Sequence, residues 1–163
     1  EEDTSRFAAY EGEMVVASSD GSSRELGALE QVSQKGRTLS RKKTLLPAPR
    51  LLGPDDNFEA VMAVDERLAL EWLPVDQATR YALQVARTRF FVQNIIDVDD
   101  RTSTSATVGL QGTGSFVWRV AAFDSEGVQG PWSGLRRFRV TSGSATDEEA
   151  AGDAGDSASP AAP

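Results

Sequence analysis

The chain contains no cysteine and no histidine. Without cysteine there is no disulfide framework and no thiolate nucleophile, and the absence fits any redox compartment. Without histidine a Ser-His-Asp hydrolase is excluded. Cations are in the minority, with 17 Lys and Arg against 25 Asp and Glu and a formal charge of -8. That balance disfavours nucleic acid as a partner, because phosphate binding needs clustered Lys and Arg. No run approaches the ~18 apolar residues of a membrane-spanning helix. There is no initiator Met and no basic, apolar leader, so the chain reads as a processed product or a cut fragment. Hydrophobic residues make up 39% of the 163 with Gly set aside, and they are spread unevenly along the chain. Part of the chain is therefore expected not to pack.

What is present falls into four stretches. Residues 1–34 carry eight acids and two bases, residues 35–53 six bases and no acid, and residues 143–163 five acids and no base. Within the first stretch, 4–10 and 14–18 read as short strands and Ser19-Asp20-Gly21-Ser22-Ser23 as a turn. Leu26, Leu29 and Val32 continue the apolar pattern. Three or four short strands cannot bury a core alone. Residues 1–34 are thus expected to be a partial β-domain that packs on other sequence, on a partner or on the neighbouring domain.

Residues 35–53 read as a basic linker, and Pro47-Ala48-Pro49 favours an extended path. The strip is either solvated or laid on an acidic surface, the tail included. Residues 143–163 contain no large apolar side chain. They cannot offset their ordering entropy, so they read as a disordered acidic tail that can be removed without loss of fold.

Residues 54–142 hold the main domain. Leu68-Ala69-Leu70-Glu71-Trp72, Tyr81-Ala82-Leu83-Gln84-Val85 and Phe116-Val117-Trp118-Arg119-Val120-Ala121-Ala122 alternate large apolar with smaller or polar residues. Each is a strand with one strongly buried face. Strands are expected at 67–73, 80–87, 94–99, 104–110, 115–124 and 134–141, with an opening strand near 50–64. About seven short strands separated by turn signals predict an all-β, immunoglobulin-like sandwich. Trp72 and Trp118 fall on inward positions, whereas Trp132 follows Gly130-Pro131 in a loop.

Trp72 with Leu73-Pro74-Val75, Tyr81 with Leu83 and Val85, Phe116-x-Trp118-Arg119-Val120, and Gly127 before the last strand together resemble a bacterial fibronectin type III domain. Upstream, Tyr10-Glu11-Gly12-Glu13-Met14-Val15-Val16 with Leu26 through Val32 resembles the closing strands of a FecR domain, and the Leu-Pro-rich segment 45–53 the joint between the two. The family often carries Tyr where Phe116 stands. Phe116 fills that space but cannot tie its hydroxyl to nearby backbone, a bond of only about 0.5–1.5 kcal/mol net. The resemblance implies a bacterial, periplasmic or otherwise extracytoplasmic protein of the cell envelope. It implies a spacer and binding role, not catalysis, and no cofactor.

Candidate chemistry is sparse. Asp97-Val98-Asp99-Asp100 offers hard oxygen ligands but lacks the glycine and distant Glu of a calcium loop, and reads as a strand end that blunts a sheet edge. Asp124 and Glu126 share a loop with no histidine near, and read as solvated rather than as an acid–base pair. Lys35, Lys42 and Lys43 all lie in the linker, poor scaffolding for a Ser-Lys site. Gly109 through Gly114 lacks a following helix and reads as a turn, not a phosphate cradle.

The most informative surface is the outer face of the sandwich. With Phe116, Trp118, Val120 and Ala122 inward, Val117, Arg119, Ala121 and Phe123 point outward. Ala82, Gln84 and Ala86 share that face from strand 80–87, and Leu135, Arg137 and Arg139 from the last strand, with Trp132 able to lie on the arginines. A water-facing sheet normally carries polar residues. The expected interface is therefore Ala82, Ala86, Val117, Arg119, Ala121, Phe123, Trp132, Arg137 and Arg139, taking a protein partner or the N-terminal segment. The alternative is a glycan- or peptidoglycan-binding module that sets Trp132 and Phe123 against sugar rings.

Overall fold

The computed structural model describes residues 4–63 and 65–143. The expected disordered tail therefore lies outside the described residues, apart from Gly143. All regular elements described are strands. They are β1 (Thr4–Ala9), β2 (Met14–Ala17), β3 (Ser23–Leu26), β4 (Glu30–Lys35), β5 (Thr38–Leu39), β6 (Lys43–Thr44), β7 (Leu51–Gly53), β8 (Phe58–Met62), β9 (Arg67–Trp72), β10 (Arg80–Ala86), β11 (Asn94–Arg101), β12 (Ser105–Gly109), β13 (Gly114–Phe123) and β14 (Arg136–Ser142).

The N-terminal unit is a sheet of order β1-β4-β5, with β6 also paired to β4, and a β2-β3 hairpin. Ala9, Val16, Leu26, Val32 and Leu39 are buried together, with Phe7 and Met14 packed against them. The structure thus carries β pairing into the stretch read as linker. Gly36 has φ 58, a conformation that lets β4 turn straight back into β5. Leu39 then enters the small core, and the Leu45 amide donates to the Leu29 carbonyl at 2.6 Å. The charge of this stretch hid its structure, because Lys35, Arg37 and Arg41 are exposed while Leu39 between them and Leu45 beyond are buried.

The main domain is a two-sheet sandwich. One sheet has the order β12-β9-β7 and the other β11-β10-β13-β14-β8. The register pairs are antiparallel except for β14 with β8, which are parallel. This is the fibronectin type III/immunoglobulin-like sandwich expected from the alternation. The opening strand is divided: β7 lies on one sheet and β8 crosses to the other. Pro54 follows β7 and has no N–H with which to continue its ladder. Arg136 holds the crossover, with Nη1 donating to the carbonyls of Leu52 (2.8 Å) and Pro54 (2.7 Å) and Nη2 to that of Leu51 (2.8 Å).

The inward residues form one core that includes Leu70, Trp72, Leu83, Val85, Phe116, Trp118, Val120, Phe138 and Val140. Trp72 meets Tyr81 edge-on, with centroids 5.7 Å apart, and Phe116 stacks on Phe138 at 5.3 Å. The Tyr81 hydroxyl accepts from the Val75 amide at 2.9 Å. A hydroxyl-to-backbone tie of the kind Phe116 cannot make is thus supplied at the β9–β10 connection. The glycine stretch 109–114 is a turn, clamped by Arg87, whose guanidinium donates to the carbonyls of Thr113 (2.8 Å) and Gln111 (3.0 Å).

Candidate interaction site

The outer face of the five-stranded sheet is where the expectation needs correction. Val117, Arg119, Ala121 and Phe123 do point away from the sandwich core, but the face is not an open docking patch. Ala121 is 0% and Phe123 7% exposed, and Ala82, Ala86 and Val117 are also buried. The cover comes from the same chain. Trp132 packs on Ala82, Ala121 and Phe123, and Phe91, from the β10–β11 connection, packs with Ala86 and Val117. The alanines are small because two loop aromatics lie in the slots above them. Phe91 has φ 50, a strained backbone for a bulky residue that costs about 1–2 kcal/mol, and its burial offsets that cost.

Arg119 links the two covers. Its guanidinium lies 4.0 Å from the Phe91 ring centroid and 4.4 Å from that of Trp132. It donates to Gln84 Oε1 from Nε at 2.9 Å and from Nη2 at 2.7 Å. Gln84 in turn donates to Asp97 Oδ1 at 3.2 Å. Burial lowers the Arg119 pKa, opposed by the charge of Asp97. Phe123 is closed from the other side by Arg80, 3.8 Å from its centroid. Among the expected interface residues, Arg137 and Arg139 alone are freely exposed.

Asp124 and Glu126 are the residues whose role the sequence concealed most. They face the N-terminal unit. Lys43 Nζ lies 2.7 Å from Asp124 Oδ2 and also pairs with Glu126. Asp124 Oδ1 accepts from the amides of Glu126 and Val128, both at 2.9 Å. Burial would raise the Asp124 pKa, but the bonds from Lys43, Val128 and Glu126 outweigh it and hold it below the usual value. The Lys43 pKa is raised, chiefly by its bond to Asp124. Beside this pair the connector and the loop touch: a Cβ added at Gly130 would overlap the Leu46 carbonyl. Leu46 also packs against the sandwich core, and the Leu73 amide donates to the Arg50 carbonyl at 2.8 Å.

The joint leaves a cleft of 810 Å³ between the units, lined by Tyr10, Glu11, Leu29, Ala48, Pro131 and Trp132 among others. One wall is fixed. The Gly130 amide donates to the Ala122 carbonyl and the Ser133 amide to the Val120 carbonyl, both at 2.8 Å, and Ser133 Oγ accepts from the Val120 amide at 3.0 Å. These bonds and the Arg119 stack hold Trp132 in place. Tyr10 is 49% exposed on the opposite wall. Sequence reasoning singled out Trp132 but not Tyr10 or Phe91, and for Lys43 it left open an acidic surface without naming Asp124 and Glu126 as that surface. Phe91 sits in a Phe90-Phe91 pair, an aromatic doublet in a turn, and that was its one available signal.

Asp97 is taken up by Gln84 and by Asn94 Nδ2 (2.7 Å), and Asp99 lies 3.7 Å from Arg80. Among the described residues, no group of three His, Cys, Asp or Glu could hold a metal ion. No described helix is long and apolar enough to cross a membrane.

No protein-family model matches the chain, and no curated protein does. Solved structures similar to it include fibronectin type III-like domains and modules. The fibronectin type III domain of human fibronectin type III domain containing protein 3 is 18% identical, with a TM-score of 0.46, covering 67% of this chain and 98% of that one. The Clostridium thermocellum CbhA fibronectin(III)-like modules are 14% identical, TM-score 0.37, covering 58% and 94%. A Fn3-like protein of the same organism is 17% identical, TM-score 0.39, covering 58% and 94%.

Proposed function

We propose that the chain is a non-catalytic spacer and protein-interaction module of a bacterial cell-envelope protein, working in the periplasm or elsewhere outside the cytoplasm. In this reading the N-terminal unit is the closing part of a FecR domain. The observation that carries the spacer role is the joint. Lys43 bound to Asp124 and Glu126, with the Leu46 carbonyl set against Gly130, fixes one unit on the other. A module that only tethered its neighbours would need no such contact, since a flexible connector suffices. The test is Gly130→Val, which wedges the joint, beside Gly134→Ala, where a Cβ meets nothing within 4 Å. Rotational diffusion from amide relaxation should report one body for the parent chain and Gly134→Ala and two for Gly130→Val. Independent tumbling of the units in the parent chain would refute the rigid spacer. Secretion of the full-length protein is checked by fractionation, and cytoplasmic retention would refute the envelope assignment.

The glycan reading retains one supporting feature. Trp132 shares its cleft with Tyr10 and Glu11, aromatic faces and a carboxylate of the kind sugars meet. Phe123 no longer serves it, being closed by Arg80. Oligosaccharide titration monitored at the Trp132 indole decides it, and absence of any shift at millimolar sugar removes it.

A further inference from the structure

With the outer face closed, the exposed apolar surface of the sandwich lies elsewhere, and it gathers at one edge. Val92 is 83%, Phe90 71% and Ile95 43% exposed, the first two being the most exposed large apolar side chains among the described residues. All three belong to the β10–β11 connection and the start of β11. Their exposure follows from Phe91. Its amide donates to the Thr88 carbonyl at 3.3 Å, its backbone is left-handed at φ 50, and its ring is buried with Ala86 and Val117. A turn that drives the middle residue of three under the face leaves its two neighbours in water. Clustered apolar exposure of this kind marks a contact surface, and backbone strain held at the same place points the same way.

β11 is an edge strand, paired with β10 alone. Charge is ordered along it. Arg89 stands at the loop end, 5.1 Å from the Phe90 ring centroid. The apolar trio follows, and Asp99 and Asp100 are exposed at the far end of the strand, roughly 15 Å beyond Ile95. Among the described residues neither Arg89 nor Asp100 makes an ion pair, and Asp99 meets Arg80 only at 3.7 Å. Residues 87–101 hold three Arg and three Asp, so this edge is free of the negative charge that the chain carries as a whole. A surface that runs basic, apolar, acidic is complementary to itself after a half-turn. An anionic partner would meet the aspartates and a cationic one would meet Arg89, whereas a second copy matches all three parts. Register shifts at Tyr81/Leu83 and Val85/Ala86 break the β10–β11 ladder. The edge is therefore a poor template for open-ended strand addition, and the contact is one of side chains that closes at two copies.

We propose that two copies of this chain associate through their β11 edges about a two-fold axis. Phe90, Val92 and Ile95 of one copy meet the same residues of the other, and Arg89 of each pairs with the partner's Asp100. The patch is small, so the association is weak and transient. It names a partner for the interaction role proposed above. It is independent of the rigid joint and of the envelope location, which have their own tests, because every residue involved lies in the sandwich.

Sedimentation equilibrium of the full chain up to about 0.5 mM should give a weight-average mass that rises from 17.5 kDa towards twice that value. Phe90→Ser/Val92→Ser, which leaves Phe91 in place, should remain monomeric. Arg89→Asp alone and Asp100→Arg alone should each weaken self-association several-fold, since each sets like charges together at both ends of the contact. An equimolar mixture of those two variants should recover the parental strength, because both ion pairs re-form with their signs exchanged. Unchanged amide shifts along β13 verify that each variant is folded. A parent chain that is monomeric at every concentration would overturn the proposal. So would a dimer indifferent to the double serine change, a charge-exchanged mixture that stays monomeric, or mass that climbs beyond two copies. A monomeric parent chain that binds phosphatidylglycerol vesicles, and loses them with Phe90→Ser/Val92→Ser, would overturn it in favour of a lipid surface.

Discussion

The guanidinium of Arg119 lies 4.4 Å over the ring of Trp132. This contact makes a loop aromatic part of the sandwich. It joins a residue that strand alternation places on the outer face to one that no periodicity locates. The same guanidinium meets Phe91 and is held by Gln84, so the face is closed by a stack whose central member is a cation.

Arg119→Lys should not be conservative. Lysine retains the charge but loses the planar fork that bonds Gln84 and stacks between two rings. A loss of about 1–2 kcal/mol is expected from the cation–π and hydrogen-bond contributions. Trp72 and Trp118 are fully buried, so acrylamide quenching of tryptophan fluorescence isolates Trp132. Quenching should rise in Arg119→Lys, and unchanged quenching would show that the stack does not hold the loop.

Phe123→Asp would be harmless on an open face. Here it places a carboxylate under Arg80 and beside Trp132, at a site that is 7% exposed. Loss of the buried ring and the cost of burying a charge should together exceed about 3 kcal/mol. An unchanged urea midpoint would mean the face is open after all.

Trp72 separates volume from polarity in the core. Its indole N–H is buried and has no hydrogen-bond partner among the described residues. Trp72→Ala should cost about 3–5 kcal/mol. Trp72→Phe removes volume but also the unsatisfied donor, which itself costs about 1–3 kcal/mol, so it should cost less than about 2 kcal/mol. Equal midpoints for the two variants would show that the indole is not closely packed.

The joint should have a pH window. The Asp124 pKa is lowered from 3.8 in the fold, so its contribution is present above that value and is lost as pH falls through the lower folded pKa. The Lys43 pKa is raised from 10.5, so its contribution is present below that value and is lost as pH rises through the higher folded pKa. Amide relaxation should show the units coupled at neutral pH and loosened at both extremes. Coupling that persists at acid pH would place the joint's stability in Leu46 and Gly130 alone.

The inner half of the sandwich was legible because strand side chains alternate with period 2. Leu70 and Trp72, Leu83 and Val85, and Phe116, Trp118 and Val120 had to share one face wherever those strands lay. Alternation also set which residues point outward. It could not say what lies above them, because that depends on how the 87–93 and 124–135 connections fold back, and aperiodic segments leave no pattern to read. Small outward residues therefore looked like an interface, when Ala82 and Ala121 are the floor beneath Trp132. The same reason explains Lys43 and Asp124, paired across 81 residues of chain. Composition marked one as basic linker and the other as solvated loop, and their meeting follows from where the connector crosses the sandwich. Sequence alone thus determined the sandwich strands from β9 to β14, their faces and the tryptophans at the centre. Tertiary structure decided which outward side chains reach water, because covering a face is a long-range act of loops rather than a local property of strands.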